Sequence, residues 1–191
     1  MRYRTIVADP PWEYDATPMR VPTGRSWTPD ETGQIASREL PYPSMTLKEI
    51  AEVRVGILKV RHIADEDARL FIWTTNRYLP DTFPIITAWG FKYAQTLVWA
   101  KTNPTPFGGS VAPIGAEYLV VATRGSPGVL SRWPESVIHC GHLAHSQKPD
   151  VFLDLVEAVS PGPYLEMFSR RARLGWDTWG NEALNHIEMG A

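Results

Sequence analysis

Asp9, Pro10, Pro11 and Trp12 stand together near the start of the chain, and their types suit the handling of an aromatic amine. The exocyclic amine of adenine is a poor nucleophile, because its lone pair is delocalised into the ring. A group that accepts hydrogen bonds from that amine localises the lone pair and points it at a methyl donor. Asp9 offers a carboxylate acceptor, and the Pro10 carbonyl offers a second. The two prolines fix φ and remove competing N–H donors. Trp12 offers a face on which a base can stack, on the order of 1–3 kcal/mol in single-strand binders. Such a site acts by positioning and preorganised electrostatics and needs no strong general base. The structural alternative is a rigid strand-to-loop turn with a buried Trp12.

A strand must carry this tetrapeptide. Tyr3-Arg4-Thr5-Ile6-Val7-Ala8 has β-type composition. Asp9 then leaves the C-terminal end of a strand, where open α/β sheets place their ligands. Further along, the capping-box pattern Thr46-Leu47-Lys48-Glu49 predicts a helix to about Val60. Arg69 to Thr74, Phe91 to Ala100, Glu117 to Thr123, Ser136 to His139, Tyr164 to Phe168 and Trp176 to Trp179 read as strands. Tyr78 to Trp89 reads as a helix closed by Gly90. Pro149 to Val159 reads as a helix whose apolar face is Phe152, Leu153, Leu155, Val156 and Val159. Alternating strands and helices imply a layered α/β sheet. Pro/Gly-rich loops at about 13–44 and 102–115 are placed to wall a site, with a third between Gly125 and Glu135.

The 191 residues suit one domain, 1–191, with a full core. Hydrophobic content of 43% and charged content of 21% are those of a soluble globular protein. No apolar run is long enough to span a membrane. Met1-Arg2-Tyr3-Arg4 leads straight into a strand, so a signal peptide is not expected. The single Cys140 excludes an intrachain disulfide and fits a cytoplasmic location. The formal net charge of −2 lacks the basic signature of a nucleic-acid binder. A nucleic-acid substrate then requires locally gathered basic residues or a partner, and a homodimer or a partner subunit fits that need. Of the eight tryptophans, Trp73, Trp89 and Trp99 fall on core-like segments.

A second constellation lies in the C-terminal half. Lys148, in His145-Ser146-Gln147-Lys148-Pro149-Asp150, sits beside a helix N-terminus, a seat for a carboxylate or phosphate. Arg170, Arg171 and Arg173 follow one strand end, and Asn181 and Glu182 follow the last. Carboxylate, amide and guanidinium there suit a nucleoside; solvated loop charges are the plainer reading. His139, Cys140, His142 and His145 match no standard zinc framework, and no metal site is expected.

With both halves in hand, the chain resembles the MT-A family of S-adenosylmethionine-dependent adenine-N6 methyltransferases. The resemblance runs from Tyr3 to about Glu182. It rests on Ala8-Asp9-Pro10-Pro11-Trp12, Leu40-Pro41-Tyr42, Leu70-Phe71-Ile72-Trp73, Val98-Trp99-Ala100-Lys101-Thr102-Asn103, Gly115-Ala116-Glu117-Tyr118, the Lys148 segment, Glu166-Met167-Phe168-Ser169-Arg170 and Trp179-Gly180-Asn181-Glu182. It implies a Rossmann-like class I methyltransferase sheet with helices on both faces, circularly permuted so that the catalytic strand precedes the cofactor-binding strands. It implies that Asp9 and Pro10 hold the target amine and that Asp9 lies beside the methionine part of S-adenosylmethionine. Trp12 and Tyr42 border the adenine pocket, with Lys101 and Glu117 on the substrate side. Lys148 takes the cofactor carboxylate, Arg170 and Arg173 the ribose side, and Asn181 and Glu182 the nucleoside.

The pattern departs from the family's longer members in three places. Only eight residues precede Asp9, Glu182 stands where Gln is frequent, and Ala172-Arg173 replaces a His-Asn pair. Long N-terminal extensions are absent, which favours a DNA-modifying enzyme of phage or bacterial type. The competing expectations are an RNA adenine-N6 methyltransferase, a non-catalytic methyltransferase-fold subunit that presents nucleic acid, and a nucleotide-binding module without transfer chemistry.

Overall fold

In the computed structural model the described residues are 2–13, 43–102, 111–141 and 148–180. In chain order the elements are β1 (Tyr3–Ala8), α1 (Leu47–Ala51), β2 (Arg54–Val55), β3 (Leu58–Lys59), α2 (Val60–Ile63), β4 (Ala64–Thr74), α3 (Leu79–Ala88), β5 (Lys92–Lys101), β6 (Ala116–Arg124), β7 (Val137–Cys140), α4 (Val151–Val159), β8 (Tyr164–Met167) and β9 (Trp176–Trp179). Seven strands form one sheet in the order β7-β5-β6-β4-β1-β8-β9. β1 runs parallel to both β4 and β8, and β8 runs parallel to β9. β6 is antiparallel to both its neighbours, and β5 pairs β7 in parallel. The fold is a mostly parallel, Rossmann-like α/β sheet.

Helices cover both faces, and strand alternation assigns the residues to each. Ile6, Ala8, Leu70, Ile72, Leu165 and Met167 pack with Ile50, Val60, Ile85 and Ile86 of α1, α2 and α3. Val7, Phe71, Trp73, Leu97 and Val121 point the other way, onto Phe152, Leu153, Val156 and Val159 of α4. The second half of β1, Ile6-Val7-Ala8, is thus continuously apolar, as a strand buried on both faces must be. Trp73, Trp89 and Trp99 are core residues, and the Trp73 ring meets Phe152 edge-on at 4.8 Å.

The capping box forms as expected: Thr46 Oγ1 accepts from the Glu49 N–H at 3.3 Å, and Glu49 Oε2 accepts from the Thr46 N–H at 2.8 Å. The helix it opens is shorter than the expected run to Val60, ending at Ala51. Gly56, at φ +62°, heads the two-residue loop Gly56-Ile57 that joins β2 to β3 in a hairpin. Two β-branched valines, Val53 and Val55, and a glycine suited to a tight hairpin turn outweigh the helix signal there. At the end of α3, Gly90 (φ +86°) donates to the Thr87 carbonyl and Phe91 to that of Ile86, a Schellman closure that selects glycine. The expected helix from Pro149 begins two residues later, with Asp150 at its N-cap. β9 occupies the expected residues.

Candidate active site

Ile6 and Ala8 anchor one face of β1 and Val7 the other, so the strand delivers Asp9 in a fixed place at its C-terminal end. The Asp9 N–H donates to the Met167 carbonyl at 3.4 Å, which ties it to the end of the adjacent β8. This is the crevice between β1 and β8. Pro10 and Pro11 then turn the chain sharply: the Trp12 N–H donates back to the Pro10 carbonyl at 2.9 Å, closing a γ-turn about Pro11. The Pro11 carbonyl accepts from the Met45 N–H at 2.8 Å. One lone pair of the Pro10 carbonyl is therefore used within the turn, and one is left.

Trp12 does not present a face to a base. It is 4% exposed, stacked on Tyr78 at 5.1 Å and 13°, and its indole N–H donates to the Trp73 carbonyl at 3.2 Å. The indole is large and apolar, and its one polar group finds a partner at the end of β4, so burial wins. The expectation of a stacking plate at Trp12 is corrected: it is the anchor of the turn.

Lys148, just before α4, reaches the other side of Asp9. Its Nζ lies 3.0 Å from Asp9 Oδ1 and 2.8 Å from Asp9 Oδ2. The same ammonium lies 3.3 Å from Glu117 Oε2, and Lys101 Nζ donates to Glu117 Oε1 at 2.6 Å. Asp9, Lys148, Glu117 and Lys101 thus form one alternating chain of charge across the ends of β1, β6 and β5. Trp73 and Trp99 floor it, with Lys148 Nζ 5.4 Å and Lys101 Nζ 4.9 Å from their ring centres. Burial alone would push the Glu117 carboxyl up, but the Lys148 and Lys101 ammoniums hold it below the usual carboxylate range. Burial likewise works against the Lys148 charge, and Asp9 and Glu117 overcome it, so its pKa lies above the ordinary lysine value. Lys148 is a permanent cation, and Asp9 keeps its remaining lone pairs on a side chain that is 29% exposed.

A third carboxylate lies in the crevice without having been assigned a role from sequence. Glu166 of β8 stands opposite Val7 and beside Thr178 of β9. Burial pushes its carboxyl above the ordinary glutamate range, with the neighbouring Asp9 charge adding to the shift, against the opposing pull of Ser169 and Arg171. Ser169 Oγ lies 3.0 Å from Glu166 Oε2. A carboxylate between Leu165 and Met167 in a buried strand was the sequence signal for it. The chain leaves β8 through Phe168 at φ +62°, a left-handed conformation uncommon outside glycine. Gly180 is required here: a Cβ would lie 2.3 Å from the Ser169 carbonyl oxygen. That contact seats the end of β9 directly on the end of β8.

Arg173 is not turned to a nucleoside. Its Nε donates to Glu157 Oε1 at 2.8 Å and its terminal nitrogen to Asp154 Oδ1 at 2.6 Å, both on α4. Trp176 Nε1 shares Glu157 Oε1 at 2.6 Å. Two acidic residues on one helix face outcompete an open crevice for the guanidinium, so the expected ribose contact at Arg173 is corrected to a clamp on α4. Arg171 pairs similarly with Asp150. Arg170 is exposed beyond β8. Tyr42, Asn181 and Glu182 lie outside the described residues. Among the described residues no cluster of His, Cys, Asp and Glu has metal-holding geometry, and no helix is long and apolar enough to cross a membrane.

The MT-A70 family model matches residues 3–182. The chain belongs to the MT-A70 family. The type II methyltransferase M.MunI of a Mycoplasma species is 30% identical over 199 residues, covering 98% of this chain and 81% of that protein. The human N(6)-adenosine-methyltransferase catalytic subunit METTL3 is 25% identical over 191 residues, covering 95% of this chain and 28% of that protein. The Drosophila melanogaster N(6)-adenosine-methyltransferase MT-A70-like protein is 27% identical, with 27% of its length covered. The chain spans about a quarter of these eukaryotic relatives. This MT-A70 protein is an adenine-N6 methyltransferase, and its family implies S-adenosylmethionine as methyl donor.

The site suits such a donor in charge. The methionine end of S-adenosylmethionine carries a carboxylate, an ammonium and a sulfonium. Lys148 offers the cation for the first, and Asp9 and Glu166 are carboxylates within the same crevice for the others.

Proposed function

We propose that the chain methylates the N6 amine of adenine in DNA, on a base taken out of the stack. The observation that carries this reading is the Asp9 carboxylate, fixed at the end of β1 by Lys148 and still open to a hydrogen-bond donor. N6 is out of reach inside a duplex, so the base must be flipped or single-stranded. DNA is favoured because the type II methyltransferase M.MunI matches over 81% of its own length. The N(6)-adenosine names of the eukaryotic relatives favour RNA as the second reading.

In this reading Asp9 accepts hydrogen bonds from the amine, with the free lone pair of the Pro10 carbonyl as second acceptor. The amine lone pair then points along the crevice. S-adenosylmethionine supplies a methyl group on a sulfonium when bound. Lys148 holds the Asp9 carboxylate oriented through its two hydrogen bonds, and it would also meet the cofactor carboxylate. On taking up the methyl group, whose bond to the donor sulfur would break to leave a neutral thioether, the nitrogen would release one proton, and Asp9, already its acceptor, would be the base in place. Arg170, Asn181 and Glu182 would hold the cofactor nucleoside, and Tyr42, Lys101 and Glu117 would border the substrate. The order of strands, with the Asp9 strand ahead of β8 and β9, supports the permuted arrangement.

The test is methyl transfer from labelled cofactor to matched single- and double-stranded DNA and RNA, followed by nucleoside analysis. N6-methyldeoxyadenosine is expected. Label found only in RNA would replace the DNA reading, and label on another base would end both.

A further inference from the structure

We propose that the chain has a second ligand site, remote from Asp9, for a small anion carried on a flat apolar body. A cavity of about 460 Å³ opens on the α4 face of the sheet. It is walled by the middle of β4, the N-terminal part of β5, the last half of β6 and the segment around Arg132 and Trp133. Arg69 and Phe71 pair there with Thr123 and Val121. Arg69 lies about 16 Å along β4 from Thr74, at ~3.3 Å per residue, so its guanidinium is well removed from the catalytic crevice.

Three observations assign its ligand chemistry. First, Arg69 is 7% exposed and lines the cavity, the one charged side chain in the buried class among the described residues. Its guanidinium meets only neutral oxygens, of Pro127 at 3.2 Å, Gly128 at 3.3 Å, Val159 at 3.4 Å and the Ser160 hydroxyl at 3.1 Å. No carboxylate among the described residues pairs with it. A buried cation without a counter-charge is costly, and an incoming anion removes that cost. Arg132, exposed at the mouth, adds a second cation, and Glu135, also exposed there, is the one carboxylate in the lining, so the cavity keeps an excess of positive charge. Second, the Trp133 indole nitrogen is buried and has no acceptor. An orphaned buried donor requires an explanation, and a ligand oxygen met by a small turn of the indole towards the cavity supplies one. Third, the floor is apolar and partly aromatic: Phe71, Leu97 and Val121, with the Phe71 and Trp133 rings 6.2 Å apart. A concave, mostly apolar cavity with a few convergent donors and a volume in this range is the usual form of a small-molecule site.

The test is a nuclear magnetic resonance titration of the whole chain, read at the Trp133 indole N–H and assigned with Trp133→Phe. The probes are phenyl phosphate, inorganic phosphate and phenol. Phenyl phosphate should shift the Trp133 signal saturably and leave the Trp12 indole unmoved. Inorganic phosphate and phenol, each half of the chemistry, should bind more weakly. Gln95→Trp, on an exposed strand position lining the cavity, should block the shift, and Arg132→Ala should weaken it about tenfold. Phenyl phosphate without a saturable Trp133 shift, or a shift indifferent to Gln95→Trp, would overturn the site. Phosphate or phenol binding as tightly as phenyl phosphate would overturn the assigned ligand.

Discussion

Replacing Lys148 by methionine keeps most of the length of the side chain and removes its charge. The ammonium contacts three carboxylate oxygens, at 3.0 and 2.8 Å on Asp9 and 3.3 Å on Glu117. Without it, Asp9 faces Glu117 with only Lys101 to neutralise the pair. Removing one partner of a fully buried ion pair costs about 3–5 kcal/mol. Here Lys148, Asp9 and Glu117 are 20%, 29% and 15% exposed, so water reaches the stranded carboxylates. We therefore expect a loss of about 2–3 kcal/mol, below the buried limit and above the ~0–1 kcal/mol of a surface pair. For a domain of this size that lowers the melting midpoint by about 4–12 °C. Glu117→Gln, made together with Lys148→Met, removes one stranded charge, so the double variant should be destabilised less than the sum of the singles by about 1 kcal/mol. Thermal unfolding followed by circular dichroism gives the midpoints, and calorimetry gives cofactor affinity, which should fall roughly tenfold or more with the loss of one charge-assisted contact. A midpoint within about 2 °C of the parent, with unchanged cofactor affinity, would refute the reasoning.

Glu166 is held above the ordinary carboxyl range by burial, so its neutral form favours the folded state at low pH and that advantage is lost as pH rises through its folded pKa. Glu166→Gln should therefore raise the melting midpoint at pH 7 relative to the parent, with the gain vanishing below about pH 4.5; a gain that grows towards acid would reverse the sign. Trp12→Ala should cost about 3–5 kcal/mol, the loss of a buried aromatic, whereas a midpoint unchanged beside a raised KM for DNA would restore Trp12 as a stacking plate. Arg173→Ala should lower the midpoint by the worth of a partly exposed ion pair, about 1 kcal/mol or less, and leave cofactor affinity alone; weakened binding by calorimetry with no thermal change would mark Arg173 as a ligand instead.

The strands were legible because Ile6, Val7, Leu70 to Trp73 and Leu119 to Val121 are apolar on both faces, a pattern that belongs to buried sheet. The short helix α1 was overread because a capping box announces where a helix starts and says nothing of where it stops. Gly56 and its flanking valines held that information. Asp9 and Lys148 were legible as chemistry through the proline turn and the segment before α4. That they grip one another was not, since 139 positions separate them and only the folded sheet brings the start of α4 to the end of β1. Trp12 and Arg173 show the same limit from the other side. A tryptophan in a motif and an arginine after a strand look like ligands until their neighbours are known, and Tyr78, Glu157 and Asp154 sit on other elements that only the fold brings alongside. Glu166 was readable as a half-buried carboxylate between two buried apolar neighbours, the kind of residue a strand keeps only for a reason.

The central claim is that Asp9 activates the amine and does not simply hold the fold. Asp9→Asn keeps the shape of the side chain and weakens it as an acceptor. The direct measurement is single-turnover methyl transfer from labelled cofactor to adenine-containing single-stranded DNA, alongside cofactor affinity and melting midpoint for the same variant. We predict a transfer rate at least about a hundredfold lower, as when a preorganised acceptor or donor is lost, in a protein that stays folded and still binds cofactor. Transfer at near the parent rate by folded Asp9→Asn would contradict the claim.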